Sequence, residues 1–381
     1  MSETRLLTDR LLSLLPDSAR ERLAREGSPG RTSPEKQEDV PFLFQSEIGR
    51  STGKSDFRFL MSRLVPMLPD SVLKGLVRGG SKGLSREDVD AIFSFQREVE
   101  RLPTVQKGMR ELGMKSLMEW NLDRDRIMRT RSPYTHPMMR PLFFSPGVTA
   151  RMRYDTAEFD WVPRLEAAYP VIKEELLQVL ANNQGFQPYV PAEKEGTERW
   201  LVKSDNGVVF ANDTSAPSMW NVMYLYMGGP ILENQALCPK TVELLESIPR
   251  FNRRAPSVFS ALHPGAHIAT HHGPRNGVLR VHLPLVAPKG CYLNVGSELF
   301  EWQDGKVEIW DDSFAHQAWN RSDRTRIILH FDIYHPDWSD EEVERLDELD
   351  RSFDNTAVMA IFHETRDKTK GLLNGKEWLV R

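Results

Sequence analysis

Residues 267–285 read HIATHHGPRNGVLRVHLPL and hold four histidines, His267, His271, His272 and His282, with Arg280 two residues before the last. The second half of the stretch decides the fold. In VLRVHLPLV (278–286), alternation puts Arg280, His282 and Pro284 on one face and Leu279, Val281, Leu283 and Leu285 on the other. A face of four aliphatic residues belongs in a core. If the opposite face is also enclosed, its cation and imidazole need anionic or polar partners. Working outward, strand-like runs recur at 257–262, 267–271, 291–296, 307–310, 316–320 and 326–334, with no helical spacing between them. Many short strands without intervening helices imply a sandwich or barrel. Within EWQDGKVEIW, Asp304-Gly305 predicts a hairpin turn. The segment HPDWSDEEVERLDELD then returns to helical spacing, with Ser339 as N-cap and Glu342 completing a capping box.

Before residue 256 the spacing is helical. PRLEAAYPVIKEELLQVLANNQG (163–185) predicts one amphipathic helix, with a proline near its start and a glycine after its end. SREDVDAIFSFQREVERL (85–102) predicts a further capped helix, and HPMMRPLFFSPGV (136–148) a proline-punctuated extended segment. The first ~120 residues read as helical, and they contain a repeat. RLLSLLPDSARERLAREGS (10–28) matches RLVPMLPDSVLKGLVRGGS (63–81) at a constant offset of 53. In each copy Pro-Asp-Ser breaks one helix and caps the next, and a glycine ends that helix. Such units serve either as hairpins packed on the main domain or as a docking surface for a carrier or lipid. The Pro-, Gly- and Ser-rich stretch from residue 27 reads as a linker. The expected organisation is a helical repeat unit (1–26), a flexible linker (27–45), a helical region with the second unit (46–135) and a catalytic-sized domain (136–381). The β core of that domain falls at about 255–335, in an α+β chain.

Composition narrows the function. A net charge of −4, with 40% hydrophobic and 27% charged residues, is ordinary for a globular protein and argues against a general nucleic-acid binder. No run approaches the ~18 apolar residues of a membrane span. The first residues carry acids and arginines through their apolar part, unlike a signal peptide. Two cysteines, Cys238 and Cys291, exclude a disulfide framework, so a cytoplasmic setting is expected.

Eight of the ten histidines fall between 263 and 335. A clustered histidine set points to a metal, and oxygenase iron is often held by two histidines and one carboxylate. The usual spacing is His-x-Asp or His-x-Glu followed by a distant His, yet the residue two after His271 is Gly273. His271 and His272 point to opposite sides of an extended chain, so one of them at most is a ligand. WDDSFAHQAWN (310–320) supplies His316 at the start of another strand. On the last strand Arg326, Ile328, His330 and Asp332 share a face. Two arginines aimed into one cavity suit a small dicarboxylate; alternatively they pair with local acids such as Asp332.

HPGAHIATHHGPRNGVLRVHLPL, followed by GKVEIWDDSFAHQAWNRSDRTRIILHFDIYHPDW, resembles the aspartyl/asparaginyl β-hydroxylase family. These are iron(II)- and 2-oxoglutarate-dependent oxygenases with a double-stranded β-helix (jelly-roll or cupin-like) core and flanking helices. The likeness covers roughly 255–340 and extends more weakly back to Tyr154. It implies iron(II), 2-oxoglutarate as co-substrate and O2, with His271 and His316 as the metal ligands and water where the acid would be. It further implies that Arg280 and His282 hold one end of 2-oxoglutarate, and that Arg326, assisted by Ser260, holds the distal carboxylate. His272 is then a supporting or substrate-facing residue, while His263, His267, His330 and His335 are structural, with His330 lining the cavity.

One departure bears on the substrate. Members acting on aspartyl or asparaginyl side chains carry an arginine where Val278 stands, and a second in the region of Tyr226–Thr241, which has none. Arg253, Arg254 and Arg275 are the available substitutes. The expected substrate is therefore a small molecule, a lipid acyl chain, a free amino acid, a carrier-bound metabolite or a peptide. A cupin-like binding protein without turnover is the alternative of another class, and a zinc hydrolase is disfavoured because no glutamate lies near the histidines.

Overall fold

A computed structural model of the chain describes residues 97–352, apart from 118, 121–122, 142, 190–200, 205–206 and 211–219, together with Gly375 and Trp378. The two N-terminal repeats and the linker lie outside the described residues. In chain order the strands are β1 Arg153–Tyr154, β2 Gln187–Pro188, β3 Leu201–Ser204, β4 Gly207–Phe210, β5 Trp220–Tyr226, β6 Ser257–Leu262 and β7 Ala266–His271. They continue as β8 Val278–Val286, β9 Cys291–Val295, β10 Glu298–Glu301, β11 Glu308–Trp310, β12 His316–Asn320 and β13 Arg326–Tyr334. Two antiparallel sheets result, one in the order β1-β11-β8-β13-β6-β5-β2 and the other in the order β10-β9-β12-β7-β3-β4. The fold is α+β.

The alternation read in VLRVHLPLV sets the layering. Leu279, Val281, Leu283 and Leu285 of β8 join Ile327, Leu329, Phe331 and Ile333 of β13 in a core covered by helices. These are α3 (Val162–Ala167), α4 (Tyr169–Ala181) and α6 (Pro239–Glu246), the third, fourth and sixth helices of the described chain. Each buried aliphatic side chain contributes ~1.5–3 kcal/mol. A one-residue slip of β8 would turn the whole set inside out, so its register is strongly determined. Arg280, His282 and Pro284 consequently face the six-stranded sheet. The inner lining continues with Leu293, Val295 and Ala318, which share a second core with Val105, Met109 and Leu112 of α1 (Pro103–Leu112).

Glu342 ties the two ends of the described chain together. Ser339 N–H donates to Glu342 Oε2 (2.8 Å) and Glu342 N–H to Ser339 Oγ (3.2 Å), so the expected capping box is present at the start of α7 (Asp340–Ser352). The same carboxylate accepts from Thr104 N–H and Thr104 Oγ–H, each at 2.7 Å, and so caps α1 as well. Between these elements runs segment 136–148, which turns at 137–138 and 146–147 instead of staying extended throughout. It bridges Phe314 through Met139 and Arg275 through Phe143, lying across both histidine-bearing loops.

Three further expectations need correction. Asp304-Gly305 does turn the chain, with Gly305 at φ 73°, but it makes no hairpin: β10 before it and β11 after it belong to different sheets. The turn is held by Gly305 N–H donating to Pro284 O (2.8 Å) and carries the chain across the sandwich. The helix expected over 163–185 is two, because Pro170 lacks the N–H that would continue α3 into α4. The region before residue 256, expected to be helical, also holds β1 to β5; in β5, next to the edge strand β2, WNVMYLY is buried on both faces and shows no alternation to distinguish it from helix.

His263 links stability to pH. Its two ring nitrogens meet Asn221 Nδ2 (2.7 Å) and Thr325 Oγ1 (3.0 Å), both neutral, and burial holds its pKa down to about 4. The unfolded chain binds this proton near the ordinary value and the folded chain does not. Stability is therefore full above about pH 6.5 and falls towards pH 4, by up to ~3 kcal/mol from this group. A Tm-against-pH series should show this acid loss, and His263→Gln should make it shallower; an unchanged slope would contradict the assignment.

Candidate active site

β7 and β12 are neighbours, and His271 and His316 are direct cross-strand partners. Partners of this kind project to the same face, and the two imidazole centroids lie 4.0 Å apart. His316 is buried, and its Nδ1–H donates to Phe314 O (2.8 Å), which leaves the Nε2 lone pair free. Burial first, then the neighbouring His271, hold its pKa well below the ordinary value, so the ring is neutral. The two imidazoles, that of His316 neutral, are the side chains here that could hold a metal through their ring nitrogens. Among the described residues no group of three or more His, Cys, Asp or Glu side chains is arranged to hold a metal.

The position of the missing acid is filled from another loop. A Cβ on Gly273 would run into the Asp312 carboxylate, and Gly273 N–H donates to Asp312 O (2.5 Å). Glycine is thus required here by close approach. Asp312 is buried and pairs with Arg280 Nη1 (2.9 Å). Burial pushes its pKa up to about 6 against the pull of Arg280.

The facing sheet presents its inner residues in rows. Trp310, Arg280 and Asp332 are in register on β11, β8 and β13, and the next row on β8 and β13 is His282 and His330. Arg280 donates from Nε to Asp332 Oδ1 (3.0 Å), so two aspartates balance it. Burial alone would lower its pKa; Asp312 and Asp332 reverse that and raise it. The Trp310 ring lies 4.7 Å from His316 and 5.3 Å from His282, and the His282 and His330 rings lie 5.2 Å apart. Trp302 joins the wall 5.8 Å from His282, and the Arg326 guanidinium stacks 4.5 Å from the Trp302 centroid.

Arg326 contrasts with Arg280. It is 1% exposed, donates from Nη1 to Ser260 O (3.2 Å), and forms no ion pair among the described residues. Burial lowers its pKa to about 10. Ser260 offers its backbone carbonyl to Arg326, while its hydroxyl accepts from Trp220 Nε1 (2.9 Å). Arg326 Nε, His282 Nδ1 and His330 Nε2 are buried without hydrogen-bond partners. Contacts through Trp310 and Trp302 therefore link His271, His316, Arg280, His282 and Arg326, and Ser260 joins them through Arg326, so all six expected site residues come together.

The other histidines lie elsewhere. His267 stacks on Trp319, with centroids 5.2 Å apart, and reaches Gln317 Oε1 (3.1 Å) on the opposite face of β12. His335 is buried against the Tyr154 hydroxyl (2.6 Å). His272 sits beside segment 136–148, its pKa lowered to about 4 by burial and then by Arg140. Asp312, four residues before His316, is a site residue that no spacing in the sequence singles out.

Residues 166–336 match the family model described as aspartyl/asparaginyl β-hydroxylase. The ornithine lipid ester-linked acyl 2-hydroxylase of Rhizobium tropici is 32% identical over 229 residues, 59% of this chain and 72% of its own length. The chain belongs to the aspartyl/asparaginyl β-hydroxylase family. Human aspartyl/asparaginyl β-hydroxylase is 30% identical over 241 residues, which are 61% of this chain but 29% of that protein. A crystal structure of a 2OG-Fe(II) oxygenase-family oxidoreductase from Burkholderia pseudomallei aligns over 50% of this chain and 98% of its own, at 14% identity and a TM-score of 0.31.

Val278 is buried two residues before Arg280. Of the three arginines available as substitutes, Arg275 pairs with Asp350 (3.1 Å) and Arg253 with Glu246 (3.5 Å), while Arg254 donates to Gly228 O (2.9 Å) and lies 3.9 Å from Asp347. No helix among the described residues is long and apolar enough to cross a membrane.

Restoring an acid at position 273 should fail. Gly273→Asp forces its side chain into the Asp312 carboxylate, and overpacking of this kind costs ~1–3 kcal/mol before charge repulsion is added. The expected outcome is a lowered Tm and weaker Mn(II) binding by calorimetry. Tighter metal binding in this variant would contradict the geometry.

Proposed function

We propose that the protein is an iron(II)- and 2-oxoglutarate-dependent hydroxylase of an unactivated C–H bond, with an acyl chain as its substrate class. The observation that carries this reading is Arg326: a desolvated guanidinium without an acid partner among the described residues, in the chamber that also holds His271 and His316. Burying an uncompensated charge is costly, and a carboxylate ligand offsets that cost. The facing sheets fit the double-stranded β-helix of such oxygenases.

The donor set fits the implied groups. His271 and His316 are neutral-imidazole ligands suited to iron(II), and their pairing leaves other coordination positions to water and ligands. The unpartnered nitrogens of Arg326, His282 and His330 are hydrogen-bonding positions for a dicarboxylate. Charge agrees as well: Arg280 and Arg326 balance Asp312 and Asp332, so a dication and a dianion enter together without net charge. When bound, iron(II) supplies the chemistry that couples oxidative decarboxylation of 2-oxoglutarate by O2, giving succinate and CO2, to transfer of one oxygen atom into the C–H bond.

The chain's residues then divide the work. Arg326 anchors the distal carboxylate, with Ser260 fixing the guanidinium through its carbonyl. Arg280 holds Asp312 against Gly273 and so positions both histidine loops. Trp302 and Trp310 keep the chamber dry. The substrate assignment rests on Val278 and on the ion pairs that Arg253 and Arg275 make with acids. The printed name of the Rhizobium tropici relative agrees with an acyl substrate.

Succinate release from 2-oxoglutarate with iron(II) tests the reaction, and a gain of one oxygen in acyl lipids, read by mass spectrometry, tests the substrate. His316→Ala should abolish turnover while His267→Ala keeps most of it. Arg326→Leu should raise KM for 2-oxoglutarate by at least ~30-fold, as expected for losing one partner of a buried charge pair. Absence of succinate from the iron-loaded wild type would overturn the reading.

A further inference from the structure

On β13 the inward residues run Arg326, Ile328, His330, Asp332. His330 stands in register with His282 on β8, one row below the Asp332–Arg280 pair. Its Nε2 is buried without a hydrogen-bond partner, and the closest acid, Asp332 Oδ1, is 3.9 Å away, beyond hydrogen-bonding distance. A leucine or isoleucine would pack at this place with no unsatisfied nitrogen, so an imidazole here is unfavourable for folding alone.

A molecule that reaches from Arg326 to the His271–His316 pair must pass the His282–His330 row. Arg280, the other cation of this wall, is already balanced by Asp312 and Asp332. The unpartnered nitrogens left for the inner end of such a molecule are those of His282 and His330 and the indole Nε1 of Trp302 and Trp310. We infer that His330 is a second imidazole donor to 2-oxoglutarate, working beside His282 between the anchored carboxylate and the metal end. The inference rests on the function proposed above and adds a co-substrate contact to the four residues expected from the family resemblance.

Calorimetric titration of 2-oxoglutarate into the Mn(II)-loaded protein, which binds without turning over, provides the test. His330→Leu should raise the 2-oxoglutarate Kd about tenfold or more, the effect of one hydrogen bond to a charged group. Its Mn(II) affinity should be unchanged, and its Tm equal to or above that of the wild type, because an unsatisfied buried nitrogen is gone. His330→Gln, which carries an amide N–H to the Nε2 position, should restore most of the affinity. If the leucine variant does not fold, His330→Met carries the same expectation. A Kd within about twofold of wild type, or a fall in Tm with unchanged Kd, would overturn the inference. Arg326→Leu separates the two layers. Lost binding there with normal binding in His330→Leu refutes this contact alone, whereas a wild type that binds no 2-oxoglutarate refutes the function and this contact together.

Discussion

The partly buried guanidinium of Arg280 organises the site. It donates to Asp332 on the adjacent strand and pairs with Asp312 in the turn before β12. Asp312 in turn fills the space beside Gly273, in the loop that follows His271. One side chain therefore connects the seven-stranded sheet to both loops that carry the histidine pair. Removing one member of a buried ion pair costs ~3–5 kcal/mol, because the remaining charge is stranded. The arrangement is stable only while all three members are present, which is why the histidines converge without a protein carboxylate between them.

The second constraint is the difference between the two arginines. Arg280 and Arg326 lie on adjacent strands of one sheet and face one chamber, yet only Arg280 is paired with acids. Arg280 is thereby held by acids of the chain itself, while Arg326 is the cation proposed to bind the ligand. A fold that needed only packing would have no use for a buried guanidinium stacked on Trp302 with its Nε unsatisfied. The cost is borne at the place where a ligand compensates it, as expected where function competes with stability.

Much of this was legible in the residues. Alternation in VLRVHLPLV separated the helix-covered face from the chamber face correctly, because a period of two leaves no other choice for a strand with one helix-packed side. Alternation likewise put Arg326, His330 and Asp332 together. Ser339 and Glu342 announced a helix start because capping chemistry is local. What stayed hidden was non-local. The meeting of Asp312 with Gly273 is a loop–loop contact without a sequence period. Asp304-Gly305 has the local chemistry of a hairpin turn, but sheet membership is decided by which strands lie beyond it. β5, apolar on both faces, has no alternation to read. The role of Arg280 was open between a co-substrate ligand and a partner of Asp332, and only the geometry shows that two aspartates already hold it.

The central claim is that a two-histidine iron site and a dicarboxylate pocket share one chamber. Its most direct test is visible difference spectroscopy under anaerobic conditions, adding iron(II) and then 2-oxoglutarate to the wild-type protein. The account predicts a charge-transfer band that appears only when both are present, saturates at a single equivalent of each, and is absent from His316→Ala. Iron binding with no spectral response to 2-oxoglutarate would contradict it.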